Sequence, residues 1–136
     1  MPTKTNHLSN VNSNFSDLQS LVKDNPNDHS SWSVIVIFYM ALHYVQAFFH
    51  HKFKQGIDYH PQIQDKIART PELRPIYAKY KKLRDDSEAA RYKAKSFNIP
   101  YMRTTTLKHF SEIQKHICEK INENCIVNNI HKLFPL

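Results

Sequence analysis

The chain has 136 residues, with 19 Lys and Arg against 12 Asp and Glu, 9 His, 2 Cys, 7 Pro and a single Gly. That length makes one domain with a real core, and the lone Gly excludes most all-β folds, phosphate-cradling loops and dinucleotide fingerprints, all of which need glycine. With 40% hydrophobic residues the chain is too apolar to be disordered, and its formal charge of +7 suits an anionic partner.

Residues 1–14, rich in Asn, Ser and Thr, read as a flexible N-terminal arm ahead of a single helical domain over 15–136. A short helix is expected over about 15–24, with Phe15, Leu18, Leu21 and Val22 facing inward. Asp24-Asn25-Pro26-Asn27-Asp28 reads as a turn, with Asp28 or Ser30 capping the next helix. That helix, about 30–54, is the most apolar segment. Trp32 to Phe49 is 18 residues without a formal charge, the lower limit of a membrane span. Tyr39, His43, Gln46 and His50, however, fall at i, i+4, i+7 and i+11, which lays one polar stripe along one face. A lone membrane helix has no use for such a stripe, so the segment is expected inside a bundle and not in a membrane. Gly56 stands where a glycine closes a helix.

A loop with Asp58, Tyr59, His60 and Pro61 leads to a short helical stretch ending near residue 68. Thr70-Pro71-Glu72 supplies a hydroxyl cap, a first-turn proline and an acid, so a helix is expected from there to about 92. Pro100 marks a connection, and a last helix is expected over about 104–133. The economical arrangement is an all-α antiparallel bundle of four to five helices. Cys118 and Cys125 would lie about 10 Å apart along that last helix, too far for a disulfide. Reduced cysteines and the lack of a basic-then-apolar leader suit a cytoplasmic protein.

The densest positive stretch is 79–103, where eight Lys and Arg face three acids and Tyr80, Tyr92, Phe97 and Tyr101 are interleaved. Cations among aromatics suit single-stranded nucleic acid, since phosphates pair with Lys and Arg while bases stack on rings. The same pattern also describes a solvated helix face with its tyrosines in the core. Arg84, Glu88 and Arg91 share one face, either as an intrahelical ion pair or as an arginine pair aimed at phosphate. His43, inside an apolar helix, suits a core histidine with a hydrogen-bonded ring. No His pair at i, i+4 flanks a carboxylate and no Cys-x-x-Cys occurs, so neither a metal site nor a cofactor is expected.

Taken together, these residues resemble the HEPN superfamily, in particular its small stand-alone prokaryotic branch. The resemblance lies in Phe38-Tyr39-Met40-Ala41-Leu42-His43 with the following Ala47-Phe48-Phe49, in His60, and in Leu83-Arg84-Asp85-Asp86-Ser87-Glu88-Ala89-Ala90-Arg91-Tyr92. It spans about residues 30–120 and implies an all-α bundle, a homodimer with a shared cleft, and a place in toxin–antitoxin or phage-defence systems with a cognate partner protein. Active members resemble metal-independent ribonucleases in which an arginine polarises phosphate and a histidine four to six residues later moves a proton. Onto that motif fall Arg84 and Tyr92, but the histidine position holds Ala90, which cannot transfer a proton.

Three functions follow. The first is RNA or nucleotide binding without efficient cleavage, through Arg84, Arg91, Tyr92, Lys93 and Lys95 beside Tyr39, His43, Gln46 and His50. The second is an active ribonuclease using Arg103 and His109, which satisfy the loose spacing at the start of the last helix. The third is a dimerisation or interaction module built on the apolar helix.

Overall fold

The computed structural model describes residues 3–23, 30–56, 60–124 and 130–134. It is an all-helical bundle, with no strand among the described residues. The long elements are α1 (Lys4–Val22), α2 (Ser30–Phe53), α3 (His60–Arg69), α4 (Tyr77–Tyr92) and α6 (Leu107–Ile121). Between the last two lie a single turn, α5 (Ile99–Tyr101), and a π-helical turn over Met102–Thr106. The turn expected at 24–28 and its capping Asp28, the loop residues Asp58 and Tyr59, the side chains of His60 and Pro61, and Cys125 lie outside the described residues.

Helix α2 is the axis of the fold, packed against α1, α4 and α6. Val34, Ile37, Met40, Ala41, Tyr44, Val45, Ala47 and Phe49 are fully buried along it, and each large apolar side chain so placed contributes about 1.5–3 kcal/mol. Two hydroxyls lie deep along it: Tyr44 donates to Gln114 Oε1 at 3.0 Å, whereas Ser33 Oγ has no hydrogen-bond partner among the described residues. Residues 31–53 are long and apolar enough to cross a membrane, yet 72% of that window is buried within the chain, the condition of a core helix.

Four expectations are corrected. The arm expected over 1–14 is helix from Lys4 onward. Thr3 forms a capping box with Asn6, and His7, Val11, Leu18 and Val22 bury one face against α2. Sparse apolar residues hid that face. The helix expected from Thr70 begins at Tyr77, after a turn and the 3₁₀ segment Arg74–Ile76. The Thr70 hydroxyl points backwards, donating to Lys66 O at 2.6 Å, so it closes α3, and only the Thr70 carbonyl serves the turn ahead, accepting from Leu73 and Arg74 N–H. The helix expected to reach 133 stops at Ile121, where Asn122 turns left-handed at φ 58°.

The fourth correction concerns the lone glycine. Left-handed residues close α2, α4 and α6, and they are Lys54, Ala94 and Asn122. Gly56 has no positive φ. It is required by proximity: a Cβ there would stand 2.7 Å from His50 Nε2 and 2.8 Å from Gln46 Oε1.

Candidate nucleic-acid interface

The basic stretch divides along α4. In its first three turns every cation meets a carboxylate: Lys79 with Glu112 at 3.3 Å, Lys81 with Asp85 at 3.0 Å, Lys82 with Asp86 at 3.3 Å and Arg84 with Glu88 at 3.3 Å, the i, i+4 spacing serving the last three. Arg84 also donates to Gln64 Oε1 on α3 at 2.9 Å. The buried Asp86 accepts from the Tyr101 hydroxyl at 2.5 Å. Burial, then this bond to Asp86, raises the Tyr101 pKa, and the bond to Tyr101 heads the causes that raise Lys82. These cations are structural.

Past Glu88 the pattern reverses. Arg91, Lys93 and Lys95 are exposed, and among the described residues none has a carboxylate partner. Arg91 donates to the Tyr39 hydroxyl at 2.7 Å, and its guanidinium lies 5.8 Å from the Tyr39 ring centre and 5.1 Å from that of Tyr92. The left-handed Ala94 lets Lys95 N–H donate to Ala89 O, and Ser31 at the start of α2 donates to Lys95 O at 2.8 Å. Together these bonds pin the cationic turn beside α2.

A concavity of about 540 Å³ opens at this junction, lined by Ser31, Trp32, Ile35, Tyr39, Ala90, Arg91 and Tyr92. Trp32 is 62% exposed and Tyr92 72%. Two exposed rings beside uncompensated cations can stack bases and pair phosphates. Trp32 escaped the sequence reading, although it sits seven residues before Tyr39, on the same helical face.

The rest of the α2 stripe enters a second group. His7 of α1 and His43 of α2 bring their Nδ1 atoms to 2.9 Å, and the His7 ring centre lies 5.2 Å from that of His43 and 5.1 Å from that of His50. One Nδ1 must donate and the other accept, so the two rings cannot both be charged without losing the bond. Burial, then the neighbouring His43 and His50, lowers His7 to about 4, and burial lowers His43. His43 is thus the hydrogen-bonded interior histidine the sequence suggested, with a partner from the segment expected to be an arm. No three His, Cys, Asp or Glu among the described residues converge to hold a metal.

Arg103 and His109 have separate surroundings. Arg103 Nη1 donates to His131 O and Phe134 O, both at 2.7 Å, which ties the 3₁₀ segment Ile130–Leu133 to the bundle. His109 lies near Glu112, Lys79 and Asp86, and burial lowers its pKa. Arg84 and Arg91 also diverge in their bonding, the first to Gln64 and Glu88, the second to Tyr39. The hydroxyl of the buried Tyr80, close to Arg84 and Tyr39, has no hydrogen-bond partner among the described residues, and burial raises its pKa.

Comparison with known proteins adds no relative: no family model, no curated protein and no solved structure matches the chain.

Proposed function

We propose that this chain is a HEPN-like domain that binds RNA or a nucleotide at the junction of α2 and α4, without efficient cleavage, in a toxin–antitoxin or phage-defence setting with itself or a cognate protein as partner. The observation that carries the binding is the concavity in which Trp32, Tyr39 and Tyr92 surround Arg91, with Lys93 and Lys95 beside it and, among the described residues, no acid paired with them. The HEPN assignment rests on the residue resemblance around Tyr39, His43, Arg84 and Tyr92. Ala90 supports binding over cleavage, since it lines the concavity at the position where a proton-transferring histidine would stand. Arg103 is a weaker phosphate ligand than its spacing suggests, because two carbonyls already hold its guanidinium.

The test uses the chain's only tryptophan as its reporter. Trp32 fluorescence is followed while single-stranded RNA is added in EDTA at low salt, and a denaturing gel of the same mixtures detects cleavage. A shift in Trp32 emission with intact RNA, weakened about tenfold by Arg91→Ala, is expected. Emission that never responds, with no retarded band in a native gel, would sink the reading. Cleavage abolished by His109→Ala would replace it with a nuclease.

A further inference from the structure

Among the described residues three large hydrophobic side chains are exposed: Trp32, Tyr92 and Phe53. The first two line the concavity at the start of α2. The third, 37% exposed, lies at the other end of the same helix and has the same kind of company. Lys66 Nζ stands 4.4 Å from the Phe53 ring centre and Lys52 Nζ 5.5 Å. Lys52 is paired with Glu72, whereas Lys66 has no carboxylate partner among the described residues. Arg69 meets only Asp65, at 4.0 Å, with both side chains largely in water. Phe53, Lys52, Lys66, Arg69, Thr70 and Pro71 line a second concavity of about 400 Å³.

The two patches are linked by geometry. Trp32 and Phe53 are 21 residues apart on α2, which is about 31 Å along the axis and about 60° around it. Tyr39, Gln46 and His50 fall on the arc between them and His43 about 20° outside it, His7 of α1 covers His43 and His50, and the chain at Gly56 folds back beside Gln46 and His50. A mononucleotide cannot touch both ends. A strand stacked at about 3.4 Å per base covers the span with about nine nucleotides, inside the range usual for single-strand binders.

We propose that Phe53, Lys66 and Arg69 form a second base-and-phosphate contact for the same strand, so that the ligand is a single-stranded polynucleotide and not a free nucleotide. This rests on the binding reading given above. Phe53 offers a stacking face, and Lys66 and Arg69 pair with phosphates whose sugar-phosphate chain leaves the Trp32 concavity. The charge balance supports it: each patch combines one or two exposed rings with two or more cations free of carboxylates or only loosely paired.

The experiment compares a trinucleotide with an oligouridine of about twelve nucleotides, both titrated against Trp32 fluorescence. In the wild type the longer strand is expected to bind about tenfold tighter or more. Lys66→Gln with Arg69→Gln removes that advantage and leaves trinucleotide affinity unchanged. Phe53→Leu removes part of it. Lys108→Gln, an exposed cation on α6 outside both patches, leaves it whole. Equal affinity for both lengths overturns the second contact while the first stands, and so does an equal loss for both lengths in the double variant. A loss of the advantage in Lys108→Gln as large as in the double variant also overturns it, since unspecific charge would then explain the gain. If neither strand binds, the binding reading itself fails. Should Phe53→Leu unfold, the double variant decides, because Lys66 is half-buried, Arg69 is exposed, and the ion pair lost is the loose one to Asp65.

Discussion

The first three turns of α4 and the segment Arg91–Lys95 at its end hold similar numbers of cations, four and three, and do different things with them. From Lys79 to Glu88 four cations meet four acids, and one of those acids, Asp86, is buried beneath Tyr101. From Arg91 to Lys95 three cations meet none among the described residues, and Arg91 lies against the rings of Tyr39 and Tyr92. Exposed ion pairs are worth little to stability, so the first stretch gains mainly register and one buried anchor. The second stretch gives up neutralisation, and only such a surface can still attract phosphate. Charge density along a sequence therefore does not locate a site; the missing counter-charge does.

The largest effect is expected where the first stretch is anchored. Asp86→Ala strands the Tyr101 hydroxyl and leaves the Lys82 ammonium unpaired, and urea unfolding should register a loss of about 2–3 kcal/mol. RNA affinity measured on the folded variant should hardly move. If affinity collapsed while stability held, the division of α4 would be wrong.

Arg91→Ala tests the other stretch. Affinity for single-stranded RNA should fall about tenfold, and the slope of log affinity against log salt should flatten by about 0.7, the share of one phosphate. Lys81→Ala, from the neutralised stretch, should change affinity by less than about twofold. Equal losses from the two variants would make charge unspecific along the whole helix.

Acid sharpens the comparison because neither stretch contains a histidine. The His7 pKa of about 4 lies below the ordinary 6.5. Between those values the unfolded chain binds more protons than the folded one, so stability is complete above pH 6.5 and declines as pH falls toward 4. Melting followed by circular dichroism should drop by about 5 °C from pH 7 to pH 5. His7→Leu should flatten that decline. A wild-type melting temperature indifferent to acid would contradict the lowered pKa values of His7 and His43.

The smallest effect belongs to the turn that presents Lys93 and Lys95. Ala94→Gly relieves a side chain held at φ 51° and should raise stability by about 0.5–1 kcal/mol in the same urea assay. Unchanged RNA affinity in that variant would show that the cations are placed by the Ser31 bond and not by backbone strain.

The bundle was legible because α2 and α6 carry dense apolar faces, and the stripe Tyr39, His43, Gln46 and His50 was legible because spacing alone puts it on one arc. What failed had physical causes. α1 begins among polar residues whose helix depends on a cap and on His7 meeting α2, a long-range partner that no local window contains. Asn122 ends α6 by adopting a conformation that asparagine tolerates, a weaker signal than glycine. At the candidate site the spacing suggested Arg84 and Arg91 as a pair, but partners set by tertiary packing, Gln64 and Tyr39, separate their roles. Trp32 was readable in principle, as a large ring seven residues before Tyr39.

The clasp formed by Arg103 has a kinetic meaning as well. One guanidinium joins carbonyls 28 and 31 residues further along the chain, and Phe134 beside them is fully buried. Closing so long a loop is costly in entropy and is recovered only when both ends are in place. The π-helical turn around Arg103, the base of α6 and the segment from Ile130 to Phe134 thus form one cooperative unit. Their amide protons should exchange with solvent together, in a single opening, and not by fraying inward from Phe134.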